Sequence, residues 1–208
     1  MQRYLIGVDE VGRGPLAGPV AVGAALVTDN FDWDLLPGVT DSKKLSEKKR
    51  EEIYKIATEL AITTELDFAV SMISAKIIDQ TGIILAIEKA MNNALQTLEK
   101  RHLNTPVNWS IDECRVLLDG GLKAPKQFMH QETIVKGDSK EKVIGLASIM
   151  AKVTRDRYMR RQAKLAAYTP YDFSSHKGYG TKAHRAAIAK YGLTDLHRSS
   201  YCGNIIML

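Results

Sequence analysis

The sequence predicts an α/β fold, and three observations support this prediction. Short apolar runs of strand length each end in a carboxylate followed closely by glycine, first at residues 6–9 and again at residues 116–119. Longer segments place apolar residues at the spacing of an amphipathic helix. The chain has 208 residues, of which 45% are hydrophobic and 25% are charged. This composition favours one globular domain over residues 1–208, large enough to bury a core.

The first predicted strand leads directly into two adjacent carboxylates. Residues 4–8 are apolar and rich in β-favouring types, and Asp9 and Glu10 follow where the backbone is expected to leave the sheet at Gly12. Successive strand residues point to opposite faces, so both carboxylates reach one site only where the strand stops or twists. A carboxylate pair in front of a glycine-rich loop is more typical of a metal site than of a core.

The loop after these carboxylates permits a second interpretation, a dinucleotide-binding fingerprint. Residues 12–17 match the pattern G-x-G-x-x-A after a strand. That fingerprint requires a helix to begin at the pyrophosphate, whereas Pro15, Gly18 and Pro19 interrupt this segment and residues 20–27 form another strand-like run. The carboxylates would also repel a pyrophosphate. No Gly-Lys-Ser/Thr follows, so the P-loop pattern is absent too.

Residues 28–40 are predicted to form a loop, because asparagine, proline and glycine punctuate them. The loop leads to Lys43 and Lys44, whose ammonium groups are suited to binding phosphate. Ser46 is a candidate N-cap, and the apolar residues between 53 and 60 fall at helical spacing. A helix is therefore expected after Ser46.

The stretch from residue 66 to residue 101 is expected to hold one strand and two helices. Apolar residues alternate from 66 to 70, as in a half-buried strand. From residue 74 onwards the apolar spacing becomes helical, and Gly82 is expected to separate a short helix from a long one.

Two later strands repeat the design of the first. Residues 116–119 end in Asp119, and residues 133–135 lead through a Lys-Gly pair to Asp138. In open α/β sheets, ligands gather beyond the ends of the strands. Asp9 and Asp119 would therefore share one site if their strands were neighbours.

A long helix is predicted after these strands. Ser139 is its candidate N-cap, and the helix is expected to run to about residue 166. Small residues along it, Gly145 among them, favour close packing against the sheet, since glycine costs a helix about 1 kcal/mol relative to alanine.

The charge distribution predicts a polyanion-binding surface in the C-terminal third. The net charge is +5, yet residues 152–198 contain eleven lysines and arginines against three acidic residues. This asymmetry favours a basic face opposite an acidic pocket. Residues 168–180 are predicted as a loop that interleaves aromatic and basic side chains, which suits a nucleic-acid surface. A helix is predicted between the cap Thr181 and Gly192, presenting Lys182, His184 and Arg185.

Other classes of protein are excluded by composition. Cys114 and Cys202 lack the spacing of a disulfide framework or a zinc site, and two reduced thiols suit a reducing compartment. Asp9 interrupts the first apolar run too early for a signal peptide, and no stretch approaches the roughly 18 apolar residues of a membrane-spanning helix. A cytoplasmic protein is expected.

Six stretches, in this order along the chain, resemble the motifs of bacterial ribonuclease HII, a type 2 ribonuclease H. They are residues 4–19, 41–46, 117–120, 136–139, 147–156 and 176–179. The resemblance implies a ribonuclease H-like mixed sheet flanked by helices, with a basic C-terminal helical region from about residue 160. It also implies a metal-dependent endoribonuclease. Such an enzyme hydrolyses the phosphodiester 5′ to a ribonucleotide, in RNA/DNA hybrids or in duplex DNA containing single ribonucleotides, and leaves 3′-hydroxyl and 5′-phosphate ends.

The resemblance also assigns site residues and partners. Catalysis and metal binding would fall to the same four carboxylates, Asp9, Glu10, Asp119 and Asp138. Mg²⁺ or Mn²⁺ would be the cofactor, with two ions at catalysis, because hard ions prefer carboxylates and two ions can activate water and stabilise the leaving oxygen. The protein is expected to act as a monomer, away from membranes. Substrate binding is implied for Gly12, Arg13, Gly14, Lys43, Lys44, Tyr179, His184 and Arg198.

Two other functions remain open: a related-fold nuclease that cuts DNA junctions, and a non-catalytic nucleic-acid-binding module. The complete acidic set disfavours the second, and the Gly-Arg-Gly loop with Tyr179 disfavours the first. That arginine also separates the chain from the similar type 3 enzyme, which carries lysine there. Small departures from the family pattern at Gly121, at Gly145 with Leu146, and at Tyr201 concern local packing rather than the reaction.

Overall fold

A five-stranded mixed sheet forms the centre of the protein, as a computed structural model shows for residues 3–61, 66–102 and 111–206. The strand order is β3-β2-β1-β4-β5. The strands are β1 (Tyr4–Val11), β2 (Val20–Thr28), β3 (Leu66–Ile73), β4 (Cys114–Asp119) and β5 (Gln131–Ile134).

Eight α-helices lie in the described residues. They are α1 (Glu47–Leu60), α2 (Ala75–Thr81), α3 (Ile83–His102), α4 (Gly137–Lys140), α5 (Lys142–Gln162), α6 (Phe173–His176), α7 (Lys182–Tyr191) and α8 (Ser199–Ile206). Short 3₁₀ helices occupy Trp33–Leu35, Ile111–Glu113 and Ala166–Tyr171. Among the helices described, none combines the length and apolar character needed to cross a membrane.

The pairing of β1 fixes the position of the site. β1 pairs antiparallel with β2 along its whole length, up to Val11 opposite Ala21. Its parallel pairing with β4 ends earlier, where Val8 lies opposite Leu118. β5 then extends the sheet parallel to β4. The residues that follow Val8 and Leu118 therefore lie side by side at the carboxyl end of the sheet.

Helices cover both faces of the sheet, so its central strands β1, β2 and β4 are largely buried on both sides. Ile6 and Val8 of β1 belong to the core beneath α2 and α3, whereas the opposite face packs against α1 and α5. The helix α5 approaches β1 and β2 so closely that a Cβ on Gly7 would lie 2.2 Å from the Val143 carbonyl oxygen. A side chain at this position would push α5 off the sheet.

A third apolar cluster forms the C-terminal helical region. Met159 of α5, Phe173 of α6 and Ile188 of α7 contribute to it. Leu16 and Ala17, from the loop after β1, pack into the same cluster. The loop that follows the carboxylates is thus buried at its far end in the C-terminal region.

Most predicted boundaries are confirmed. The Ser46 hydroxyl accepts a hydrogen bond from Lys49 N at the start of α1. Gly82 separates α2 from α3, with φ of 84°. Thr181 caps α7 by accepting from His184 N, and Gly192 ends it with φ of 79°.

The predicted long helix is confirmed as α5, but its predicted start at Ser139 and its predicted end near residue 166 are wrong. The short α4 precedes a separate α5, and the Ser139 hydroxyl donates to the Lys136 carbonyl instead of capping a helix. Gly145 allows a close approach, but a Cβ there would meet the Asp138 carbonyl at 2.9 Å and Thr40 backbone atoms at 3.3 Å, not the sheet. Likewise, the predicted loop of residues 168–180 contains α6 and part of a 3₁₀ helix.

Candidate active site

Three aspartates meet at the carboxyl end of the sheet. Asp9 follows the last β1–β4 pair on one strand, and Asp119 follows it on the other. The turn after β5 brings Asp138 to the same place. Carboxylate oxygens of the three residues all lie within 4.8 Å of one another. The prediction that Asp9 and Asp119 share one site if their strands are neighbours is confirmed.

Backbone geometry fixes the two later aspartates. Gly137 N donates to Asp119 Oδ1 at 2.6 Å. The preceding residue, Lys136, adopts a left-handed conformation with φ of 57°. A Cβ on Gly137 would lie 2.6 Å from Ile144 Cδ1, so the turn that presents Asp138 needs glycine at this position.

Glu10 lies beside this group but on the other face of β1. The strand continues to Val11, so neighbouring side chains alternate in direction. The Glu10 carboxylate forms an ion pair with Arg13 Nη1 at 3.6 Å. It lines the cleft that contains Asp9 and also an adjacent pocket that includes Met91 of α3. The structure therefore gathers three of the four predicted carboxylates closely and places Glu10 at their edge.

The carboxylates are held at a cost in free energy. The pKa of Asp9 is raised to about 7, first by burial and then by the charges of Glu10 and Asp119, which together outweigh a hydrogen bond from Ser148. Burial also raises the pKa of Glu10. The pKa of Asp138 is raised by burial and by its neighbours Asp41 and Asp119. Clustered, partly dehydrated carboxylates of this kind require a nearby cation to remain ionised at neutral pH.

Only one ammonium group of the predicted pair reaches the carboxylates. Lys43 Nζ lies 3.9 Å from Asp138 Oδ2. Burial acts to lower the pKa of Lys43, but the charges of Asp138 and Asp9 outweigh it and raise the pKa overall. Lys43 is one of the described residues that line the cleft. Lys44 is exposed and is not one of them.

The cleft beside the carboxylates has a volume of about 200 Å³. The glycine loop, which we define as residues 12–19, forms one wall. Gly12 has φ of 90°, whereas a Cβ on Gly14 would meet nothing within 4 Å, so the backbone is accessible there. Tyr179, which is 43% exposed, also lines the cleft and belongs to the tyrosine loop, residues 176–180. Lys152 Nζ lies 6.0 Å from the ring centroid.

His184 and Arg198 do not reach the cleft, and their predicted substrate contacts require correction. Both side chains are fully buried. His184 Nδ1 lies 2.9 Å from the Tyr179 carbonyl oxygen, and Arg198 donates to the carbonyls of Gly12, Arg13 and Gly18. The sequence pattern placed them correctly near the site, but the tertiary packing turns them inward to support the two loops.

Several residues at the site were missed by the sequence interpretation. Ser148 of α5 hydrogen-bonds Asp9, and its hydroxyl lies 2.8 Å from the Ser42 hydroxyl. Lys152, one turn further along α5, lines the cleft and donates to Asp156 at 2.8 Å. Both Ser148 and Lys152 lie in residues 147–156, which resemble a family motif. The small residues of this stretch predict close helix packing and do not by themselves indicate a contact with Asp9.

The donor set fits a divalent cation. Three carboxylates within 4.8 Å of one another supply hard oxygen ligands. The pKa values of Asp9 and Asp138 are raised first by burial and then by neighbouring carboxylates, so a bound cation would favour their ionised forms. Among the described residues, Asp138 forms its ion pair with Lys43, and the Lys43 side chain is largely exposed to solvent.

The fold is ribonuclease H-like, and the acidic cluster lies at the carboxyl end of its sheet. The architecture is similar to that of ribonuclease H2 from Pyrococcus horikoshii, with a TM-score of 0.64 and 24% identity, covering 97% of this chain and 96% of that one. It is also similar to Bst-RNase HIII, crystallised with Mn²⁺, with a TM-score of 0.74 and 19% identity, covering 99% of this chain and 68% of the other.

Sequence comparison identifies the family. The family model described as ribonuclease HII matches residues 6–204. Ribonuclease HII of Caldicellulosiruptor bescii is 42% identical over 206 residues, covering 99% of this chain and 90% of the relative. Ribonuclease HII of Bacillus subtilis is 42% identical, covering 96% and 69%. The chain belongs to the ribonuclease HII family. It is therefore a type 2 ribonuclease H, a metal-dependent endoribonuclease that acts on RNA/DNA hybrids.

Proposed function

We propose that the enzyme cuts on the 5′ side of a ribonucleotide, both in RNA/DNA hybrids and in duplex DNA containing a single ribonucleotide. The products would carry 3′-hydroxyl and 5′-phosphate ends. One observation supports this proposal above the others. Asp9, Glu10, the start of the glycine loop and Tyr179 line one cleft, and Asp119 and Asp138 lie against Asp9. The reacting phosphate and the sugars next to it can therefore be bound together.

Asp9, Asp119 and Asp138 would hold the metal, with Glu10 completing the acidic set. Two Mg²⁺ or Mn²⁺ ions bound there would activate a water molecule and neutralise charge on the phosphate. The protein's own contribution is to fix the ligands. Gly137 N orients Asp119 at 2.6 Å, and Ser148 orients Asp9. Arg13 holds Glu10 at the edge of the group.

The sugars would be read by the two loops. Gly12 and Gly14 leave the backbone open to a ribose, and the largely exposed Arg13 can reach its 2′-hydroxyl. The Tyr179 ring would pack on the deoxyribose next to the ribonucleotide, because a flat ring fits against a sugar that lacks the hydroxyl. Lys43 and Lys44 would contact the phosphate backbone, together with basic residues of the C-terminal region.

The remaining expectations follow from the same residues. The enzyme would act as a monomer, with a single catalytic domain over residues 1–208. Cys114 and Cys202 are both buried thiols, which suits work in the reducing cytoplasm. The two alternatives, a junction nuclease and a non-catalytic binding module, are retained as outcomes of the test below.

The test is cleavage of a 5′-labelled DNA duplex that contains one ribonucleotide, with Mg²⁺ or Mn²⁺. The expected product ends one nucleotide before the ribonucleotide. A polymerase should extend its 3′ end, and ligase should join the other fragment through its 5′ phosphate. An all-DNA duplex and a four-way DNA junction serve as controls. Cutting only the junction would support the junction nuclease, and binding without cutting by the wild type would support the binding module.

A further inference from the structure

Two arginines are buried completely inside the protein, next to the proposed sugar-reading loops. Arg155 of α5 and Arg198 before α8 each have no exposed surface. Within the described part of the chain, neither forms an ion pair with a carboxylate. Their guanidinium groups donate to backbone carbonyls instead. Burial lowers the pKa of both side chains, which shows that the fold keeps these cations dehydrated at a cost.

Arg155 connects the two loops. Its Nε donates to the Pro19 carbonyl at 2.8 Å, and its Nη2 donates to the Ala17 carbonyl at 3.2 Å, both in the glycine loop. Its Nη1 donates to the Lys177 carbonyl at 3.1 Å, in the tyrosine loop. The guanidinium carbon also lies 5.9 Å from the centroid of the Tyr179 ring. One planar, rigid group therefore sets the distance between the two loops.

The loops also meet directly beneath this arginine. Leu16 N and Ala17 N both donate to the Gly178 carbonyl, at 2.9 and 3.2 Å. A Cβ on Gly178 would lie 2.2 Å from the Ala17 carbonyl oxygen, and a Cβ on Gly12 would lie 2.3 Å from Arg155 Nε. The junction of the loops therefore has no room for an added methyl group or for a shift of the arginine.

Arg198 makes a contrasting set of contacts. Its donors reach Gly12, Arg13 and Gly18, at 2.7, 2.9 and 2.9–3.0 Å. All these carbonyls belong to the glycine loop. Arg198 supports one loop, whereas Arg155 bridges both.

We propose that Arg155 is a positioning residue that couples the two loops and thereby sets the preference for a single ribonucleotide within DNA. This inference rests on the proposed function, in which Arg13 reads the ribose and Tyr179 packs on the adjoining deoxyribose. A lone ribonucleotide requires both loops at a fixed distance. A continuous RNA/DNA hybrid has no deoxyribose at that position, so its cleavage depends on the glycine loop alone.

The experiment measures single-turnover cleavage rates on two duplexes of equal length, one with a single ribonucleotide and one an RNA/DNA hybrid. The quantity compared is the ratio of the two rates, because a smaller folded fraction lowers both rates equally and leaves the ratio unchanged. Arg155→Lys keeps the charge, but the three donors of an ammonium share one nitrogen and cannot reach all three carbonyls that the guanidinium spans. It should lower both rates and reduce the ratio of single-ribonucleotide to hybrid cleavage roughly tenfold, the size expected for one lost stacking contact.

Two further variants distinguish the bridging of both loops by Arg155 from general support of the glycine loop. Arg198→Lys should lower both rates while keeping the ratio within about twofold of the wild type, because only the glycine loop loses contacts. Gly178→Ala leaves Arg155 in place but forces the loops apart, and it should reduce the ratio as Arg155→Lys does. It serves as the second probe if Arg155→Lys does not fold. Arg101→Lys is the matched control, because Arg101 also donates to a backbone carbonyl, that of Phe68 on the edge strand β3. The ratio of the two cleavage rates in this variant should match that of the wild type.

Tyr179→Ala, measured in the same way, distinguishes a failure of the loop coupling by Arg155 from a failure of the proposed role of Tyr179. If it reduces the ratio but Arg155→Lys and Gly178→Ala do not, Tyr179 is the junction sensor and the coupling by Arg155 is refuted. If Tyr179→Ala itself leaves the ratio unchanged, the proposed role of Tyr179 is wrong, and so is the coupling built on it. A reduced ratio in all three variants, with Arg198→Lys and Arg101→Lys unchanged, supports the inference.

Discussion

Mild acid should destabilise the folded protein through the buried pair His184 and His197. Thr194 N donates to His197 Nδ1 at 2.9 Å, so the proton of His197 lies on Nε2 and points at His184 Nε2, 3.1 Å away. The proton of His184 then lies on Nδ1 and is donated to the Tyr179 carbonyl, at 2.9 Å. Both rings are therefore neutral, and an added proton would set two N–H groups against each other.

The pKa values follow from this arrangement. Burial lowers the pKa of each of the two histidines from 6.5 to about 4. Nearby positive charge acts in the same direction, from His176, whose ring centroid lies 4.3 Å from that of His184, and from Arg185. Asp195 opposes the effect at His197. The unfolded chain thus binds protons that the folded protein does not accept.

The sign and size of the effect can be worked out from these values. A folded pKa below the unfolded one means that the stabilising contribution is fully present above pH 6.5 and is lost as the pH falls towards 4. At pH 5 the loss is about 2 kcal/mol for one such histidine, and roughly 4 kcal/mol for the pair. This is a large fraction of the total stability of a typical domain. The raised pKa of Asp9 acts in the opposite direction in metal-free protein, so variants must be compared under identical conditions.

The assay is urea unfolding at pH 7.5 and pH 5.0, without metal, for the wild type and for His197→Gln. The variant is expected to be less stable at pH 7.5, because a buried hydrogen bond changes, but its further loss on acidification should be smaller by about 2 kcal/mol. His130→Gln is the control, since His130 is exposed, and its loss on acidification should match that of the wild type. An identical acid-induced loss in His197→Gln and in the wild type would refute the reasoning.

Three other predictions concern the site and the substrate surface. Asp119→Asn should fold and bind duplex but lose nearly all cleavage, because a neutral amide replaces an anionic ligand; near-normal turnover in a gel assay would contradict this. Mg²⁺ at about 100 times its Kd should raise the free energy of unfolding by about 2.7 kcal/mol, measured by thermal unfolding. EDTA should reverse this stabilisation, and Asp138→Asn should reduce it. The duplex affinity of the wild type should fall with salt at a log–log slope of about −4 or steeper, since the basic C-terminal region would replace counterions; a flat titration would remove that region from the interface.

The sequence by itself determined most of the secondary structure and indicated the aspartates that meet at one site. The helix caps Ser46 and Thr181 and the breaks at Gly82 and Gly192 depend on local backbone chemistry, so they could be recognised without the fold. Strands that end in an aspartate indicated a shared site, because strand ends collect ligands whenever the strands are neighbours. The family motifs then supplied the activity and the order of the acidic residues.

Only the tertiary structure decided which polar side chains face the substrate and which are buried. His184 and Arg198 stand in a basic, surface-like stretch, yet both are fully buried. Arg198 donates to carbonyls of the glycine loop, which packs into the C-terminal cluster, and His184 donates to the Tyr179 carbonyl. The break between α4 and α5 likewise falls at Glu141, whose backbone is extended, and the left-handed turn at Lys136 before α4 presents Asp138 to the other carboxylates. The bridging contacts of Arg155 join positions 136 and 138 residues apart in the chain. Local sequence patterns extend over a few residues, so contacts of this range are determined by packing alone.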